Sequence, residues 1–277
     1  MKFKLGCHLD YNISSSSTFI FNIRVLANEY QRILEQNLKI SPECKIEEYL
    51  EKDHQNSYFR LIAPTGKLVI DYQATVDLSH RADSTDKIQE TSPAELPLEV
   101  IPYLYPSRYC QSDRLMKLAQ DEFGSCESGY AKVQAICDWI YQKIDYLSGS
   151  SNSQTSAYDT ASERVGVCRD FAHLGIAFCR ALSIPARFVS AYAWQLQPPD
   201  FHACFEAYLG DQWYLFDATR LAPVNGLVRI GTGKDAADTA FATVFGVIEL
   251  NNMNVYIDLV DEQGLEPENT AYATISA

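Results

Sequence analysis

The stretch from Arg164 to Arg187 constrains this chain more than any other. It reads Arg-Val-Gly-Val-Cys-Arg-Asp-Phe-Ala-His-Leu-Gly-Ile-Ala-Phe-Cys-Arg-Ala-Leu-Ser-Ile-Pro-Ala-Arg. Phe171, Leu174, Gly175, Phe178, Cys179 and Leu182 recur at the i, i+3, i+4, i+7 spacing of one helix face. Pro185 cannot continue that helix, so it is expected to stop near Leu182 and pass the chain to a β-branched run. A loop ending in Gly166-Val167 delivers Cys168 to the first turn. Unpaired amide N–H groups and the positive end of the helix dipole favour thiolate over thiol there. Cys168 is the candidate nucleophile.

Three strands are expected next: 186–193, 201–209 and 212–217, the last two joined by a tight turn at Gly210-Asp211. Along the second, His202, Cys204 and Glu206 point to one face and Phe201, Ala203 and Phe205 to the other. With that turn, Leu209 opposes Gln212 and Ala207 opposes Tyr214, so Asp217 falls opposite Cys204, one pair from His202. A Cys-His-Asp triad requires this arrangement: the imidazole takes the thiol proton, and the carboxylate fixes the ring's tautomer and steadies its cation.

Each residue has a plainer reading taken singly. Cys168 alone is a buried free thiol, His202 a sheet-edge histidine and Asp217 a hairpin-end carboxylate. The three together favour the triad. His173, one turn beyond Cys168, reads as a helix-face residue and not a second base; Asp235 and Asp238 read as structural. Arg169 and Asp170 are expected to pair or cap locally, with Asp170 able to hold a loop near the site. Cys168, His202, Cys204 and Asp217 are also four possible zinc ligands, but the chain has no Cys-x-x-Cys pair. No metal and no cofactor are expected.

These blocks carry a family resemblance. Arg164-x-Gly-Val-Cys168-Arg-Asp-Phe-Ala-His-Leu, followed by Arg180-Ala-Leu-Ser-Ile-Pro-Ala-Arg187, resembles the core of the transglutaminase-like superfamily. His202-Ala203-Cys204-Phe205-Glu206 and Trp213-Tyr214-Leu215-Phe216-Asp217-Ala218-Thr219 resemble its His and Asp blocks, and Gly233-Lys234-Asp235-Ala236-Ala237-Asp238 resembles a segment of its bacterial members. The resemblance implies Cys168 as nucleophile, His202 as base and acid, and Asp217 as orienter. It departs at Cys204, where an aromatic, usually tryptophan, is common. One oxyanion donor is the N–H of Cys168; the second is not legible.

The rest of the chain sets the frame. Residues 1 to about 82 alternate in the strand manner, as in Thr18-Phe-Ile-Phe-Asn-Ile-Arg-Val25, and imply a β-sandwich; 31–39 fits strand or helix. His8, His54 and His80 stand alone and read as surface or sheet-edge residues. Prolines 93, 97, 102 and 106 mark a connector, with Leu98–Ile101 and Tyr103–Tyr105 lying along a groove. Two helices follow, then a polar loop at 147–156 expected to be mobile. The strands at 243–250 and 253–260 are expected to close the core's sheet, and the polar tail to fray.

The expected fold is α+β: a β-sandwich over 1–95, a papain-like or transglutaminase-like core of helices on an antiparallel sheet over 96–265, and a tail over 266–277. A net charge of −13 argues against nucleic acid or an anionic membrane as partner. The first ten residues hold no apolar signal region and no window is long enough to span a membrane, so a cytoplasmic location with reduced thiols is expected. The expected function is a cysteine enzyme acting on an amide or isopeptide of a peptide, protein or small amide through an acyl-thioester, with hydrolysis favoured. The alternative is a non-catalytic protein-binding module that keeps the fold.

Overall fold

The computed structural model describes residues 1–52, 56–261 and 270–276. Alternating apolar residues in the N-terminal part form β1 (Lys2–Ile13), β2 (Ser17–Phe21), β3 (Gln31–Ser41), β4 (Ile46–Leu50), β5 (Ser57–Ala63) and β6 (Gly66–Leu78). A short β7 (Arg81–Ser84) precedes the proline-rich connector. The helices α1 (Ser112–Phe123) and α2 (Tyr130–Lys143) follow, then β8 (Asp145–Tyr146), α3 (Ala157–Glu163), β9 (Val165–Gly166) and α4 (Cys168–Ala181). The remaining strands are β10 (Ala186–Ala193), β11 (Phe201–Leu209), β12 (Gln212–Phe216), β13 (Leu227–Gly233), β14 (Ala242–Phe245), β15 (Ile248–Asp261) and β16 (Thr270–Ser276).

Two four-stranded sheets, β15-β1-β6-β3 and β14-β2-β5-β4, face each other as a sandwich. Phe3, Leu5 and Leu9 of β1 and Leu68, Ile70 and Tyr72 of β6 meet Phe19, Phe21, Phe59 and Leu61 in one core. The ambiguous segment at 31–39 is therefore strand, fixed by its ladder to β6. His8 pairs with Asp71 at 2.7 Å on this sandwich. His80 is half-buried just before the edge strand β7, with both ring nitrogens sealed from solvent and burial holding the ring down to about 3. His54 lies outside the described residues.

The second unit is a six-stranded antiparallel sheet in the order β13-β10-β11-β12-β16-β7, with the four helices gathered against one face. Two expectations are corrected here. The strands at 242–261 do not close this sheet: β14 pairs with β2 and β15 with β1, completing the sandwich. An alternating pattern specifies a strand with one buried face, but not which sheet receives it. The tail also supplies a strand, β16, inserted between β12 and β7.

The connector lies along the sheet as expected, with Val100 and Tyr103 packed on Tyr208 and Trp213. The sandwich covers the open edge of β13 with side-chain amides. Asn56 Nδ2 donates to Thr232 O at 2.8 Å and accepts from Thr232 N at 2.9 Å through Oδ1. Gln31 treats Arg229 in the same way, both contacts at 2.8 Å. Each amide stands in for a neighbouring strand and blunts the edge.

What positions the site is the approach of α4 to β11. Phe171, Leu174 and Phe178 bury one helix face against Phe188, Phe205 and Phe216. At Gly175 the helix comes so close that an added Cβ would sit 2.6 Å from Phe205 Cε1. Phe205 is fully buried and stacked on Phe216 at 5.6 Å, so it has no room to yield. Gly175→Ala gains about 1 kcal/mol of helix propensity but overpacks a core contact that costs about 1–3 kcal/mol. A net loss of stability, with α4 pushed off β11, is the expected outcome; a chemical denaturation curve checks it, and an unchanged or higher midpoint refutes it.

Candidate active site

Cys168 is the first residue of α4. Val167 holds the turn open: its N–H donates to Asp170 Oδ2 at 2.9 Å, while its carbonyl accepts from the N–H groups of Asp170 and Phe171. This is the backbone half of a capping box, with the carboxylate at the third helical position. Asp170 also accepts from Ser151 Oγ at 3.1 Å, and Arg169 reaches Ser151 Oγ at 2.8 Å and the Asn152 carbonyl. The Tyr109 hydroxyl donates to the Ser153 carbonyl at 3.0 Å. The loop at 147–156, expected to be mobile, is thus tied down by the residues flanking Cys168.

The hairpin turns at Gly210 (φ 48°) and Asp211 (φ 65°), two left-handed residues in a row, as a two-residue type I′ turn requires. Leu209 opposes Gln212, Ala207 opposes Tyr214 and Phe205 opposes Phe216, the register read from the sequence. Asp217 directly follows β12. Its Oδ2 lies 2.8 Å from His202 Nε2. Its Oδ1 accepts from Thr219 N at 2.9 Å and Thr219 Oγ1 at 2.7 Å, so both carboxylate oxygens are engaged.

The Cys168 side chain lies beside the His202 ring, close enough to shift its titration. With Nε2 on Asp217, Nδ1 is the nitrogen left for the sulfur. The three residues named from the sequence therefore meet around one imidazole. Burial pushes His202 down, but the Asp217 charge and hydrogen bond, with the Cys168 contact, outweigh it and raise the ring to about 10.

A fourth residue has no sequence signal. The Tyr146 hydroxyl lies beside Cys168, close enough for that residue to shift its phenol. Burial, then the charge of the neighbouring sulfur, pushes its phenol up to about 12. The parallel bridge between Tyr146 and Gly166 puts the ring there, with Leu147 N–H donating to Gly166 O at 3.0 Å. Tyr146 was legible only as an aromatic before a polar loop. Thr219 closes the Asp block of the sequence and anchors the carboxylate.

The other candidates are turned elsewhere. His173 is fully buried; its Nε2 accepts the Ala236 N–H at 3.1 Å, and burial holds it down to about 3, a neutral ring joining two segments. Asp235 accepts from Tyr109 N at 2.9 Å and Ala237 N at 2.9 Å, and Asp238 from Lys234 N at 2.8 Å. Glu206 is buried between Arg187, at 2.5 Å, and Arg229, at 3.0 Å. Cys204 packs with Val189 and Leu215 behind the hairpin, where burial raises its thiol far above the usual range. Among the described residues, no group of three or more His, Cys, Asp and Glu side chains is gathered as a metal site.

Comparison with known proteins gives the family of the chain. The family model described as transglutaminase-like superfamily matches residues 116–218, and that of the bacterial transglutaminase N-terminal domain matches residues 1–99. The crystal structure of a "putative cysteine protease" from Cytophaga hutchinsonii is 49% identical, covers 99% of this chain and 98% of that one, and superposes with a TM-score of 0.94. The chain belongs to the transglutaminase-like superfamily. More distant relatives are uncharacterized proteins of Mycobacterium leprae (26% identity over 66% of this chain and 69% of that one) and Mycobacterium tuberculosis (27% identity over 74% and 72%). Membership in the superfamily supports a cysteine-type enzyme in general.

Within this transglutaminase-like core, His202 is expected to stay protonated through neutral pH and to titrate near pH 10. Asp217→Asn removes the strongest influence raising the ring and is expected to bring the titration down by more than one pH unit. Imidazole 15N chemical shifts across a pH series measure both, and a wild-type midpoint near 6.5 refutes the coupling.

Proposed function

We propose that the protein is a thiol enzyme that attacks the carbonyl of an amide or isopeptide bond in a peptide, protein or small amide. Cys168 is the nucleophile, His202 the base and acid, and Asp217 the residue that orients the ring. The observation that carries the reading is one imidazole engaged by Asp217 at 2.8 Å, with the Cys168 side chain beside it. A ring held cationic beside the sulfur is a proton donor in place for the departing amine.

The thiolate adds to the carbonyl carbon, and His202 gives its proton to the departing amine nitrogen as the C–N bond breaks. The acyl-thioester is then resolved by water, whose proton returns to His202. Hydrolysis is preferred over transfer to an amine because water is always present. The Cys168 N–H is one donor to the developing oxyanion, and we assign the second to the Tyr146 hydroxyl, which lies beside Cys168. The superfamily membership and the name of the Cytophaga relative support a reaction of this class.

Three measurements test this. Iodoacetamide at neutral pH is expected to alkylate Cys168 ahead of the other seven cysteines, and intact mass after exposure to a peptide library to show an acyl adduct on it. Uniform alkylation without an adduct returns the protein to a non-catalytic binding module. Cys168→Ala abolishes turnover, and Asp217→Asn lowers kcat/KM by roughly 10²- to 10⁴-fold. Tyr146→Phe lowers kcat by about 10²-fold with KM little changed; full activity in that variant removes Tyr146 from the mechanism.

A further inference from the structure

Of the three candidate residues, only the nucleophile is open to solvent. The His202 and Asp217 side chains are each 1% exposed, whereas Cys168 is partly exposed. Tyr146, which lies beside Cys168, is 46% exposed. A substrate therefore meets the site at the sulfur and the Tyr146 ring, and the groups around these two decide what it can carry.

Asp200 is one of those groups. It is exposed and directly precedes β11, two positions before His202. That spacing puts strand side chains on one face, about 6.6 Å apart. Its Oδ1 accepts the Phe201 N–H at 2.7 Å, which turns the carboxylate toward the start of the strand. Desolvation raises the Asp200 carboxyl, against the pull of the Phe201 N–H and of the His202 ring. Tyr146 feels it too: after burial and Cys168, the Asp200 charge is among the influences that raise its phenol. Asp200 thus faces both the ring that serves the sulfur and the hydroxyl beside it.

The charges flanking Cys168 differ in what holds them. The Arg169 guanidinium is committed to Ser151 Oγ at 2.8 Å, to the Asn152 carbonyl and to Asp170. Among the described residues, no lysine or arginine forms an ion pair with Asp200. The charge left for a substrate at this mouth is negative. A partly desolvated carboxylate attracts a cation and repels a second carboxylate.

We infer that Asp200 is a specificity-determining residue: it takes an ammonium or guanidinium group carried by a substrate residue next to the scissile carbonyl. The inference rests on the thiol-triad reading above.

Two series of reactions put the cation on either side of the bond. The p-nitrophenyl esters of Nα-acetyl-lysine, Nα-acetyl-norleucine and Nα-acetyl-glutamic acid test the acyl side. The Cys168 sulfur bonds to the ester carbonyl carbon, the C–O bond breaks, and the burst of p-nitrophenolate counts working sites. For the amine side, enzyme acetylated by p-nitrophenyl acetate is offered argininamide, citrullinamide or glutamic acid α-amide. The amine nitrogen bonds to the thioester carbonyl, the C–S bond breaks, and the amine proton passes through His202 to sulfur. Mass spectrometry gives the ratio of N-acetyl amide to acetate.

On one of the two sides, the cationic compound is expected to react about fivefold better than its neutral counterpart, the scale of an ion pair at an exposed carboxylate. The acidic compound is expected to react worst. Per working site, Asp200→Asn brings the ratio close to one, Asp200→Lys reverses it, and added salt shrinks it in the wild type. Equal reaction of cationic and neutral compounds on both sides, or a preference that Asp200→Asn leaves intact, overturns the role of Asp200 while a full burst leaves the triad standing. A missing burst, or one undiminished in Cys168→Ala, overturns the triad reading and the inference with it.

Discussion

The approach of α4 to β11 is the contact on which the site depends. Cys168 is fixed to the helix and His202 to the strand, so their separation is set by how closely the two elements pack. A side chain larger than hydrogen at Gly175 would meet the Phe205 ring. Phe205 is itself held by Phe216, the residue just before Asp217. One stacked core thereby fixes all three residues, and the candidate site sits at its edge. Close packing of this kind resists the small displacements that cost most in a catalytic geometry.

A second regularity is how the buried polar groups are committed. Each oxygen of Asp217 has its own partner, which holds the carboxylate in one orientation. Glu206, on the same strand as His202, is compensated by two arginines. His173 is locked to a backbone N–H. Burying such groups without partners is costly, and the carboxylates are satisfied locally, while His173 keeps Nδ1 buried without a hydrogen bond. The imidazole that joins a carboxylate to a thiol is that of His202.

The parts legible in the sequence were those governed by local rules. The span of α4 followed from the loop at Gly166-Val167, the apolar spacing and Pro185, and the His202–Asp217 relation from a two-residue turn whose geometry admits one register. Tyr146 was not legible because its place depends on a two-residue bridge to Gly166, twenty positions away; neither end carries a signal of its own. The destination of β14 and β15 was hidden for a related reason. Their alternation marks a half-buried strand, while the choice between core sheet and sandwich depends on which partner edge is open, a property of the assembled fold. Cys204 shows the intermediate case: its departure from the family pattern was visible, but only the structure puts it in the cluster with Val189 and Leu215.

The path of the chain bears on what the sandwich does. After β13 the chain leaves the core, adds β14 and β15 to the two sandwich sheets, and re-enters the core sheet as β16. The sandwich therefore cannot form all its strands without the core, and the core sheet has β16 only because the chain returns. Gln31 and Asn56 add hydrogen bonds to the β13 backbone, and the Tyr192 hydroxyl of β10 donates to the Ile23 carbonyl at 2.8 Å. An interface threaded three times and stitched through buried polar groups is unlike the small, polar contact of independently moving domains. β10 pairs directly with β11, so the strand carrying His202 is one ladder away from that interface. The sandwich is better regarded as the outer support of the sheet that carries the candidate site than as an appended recognition module.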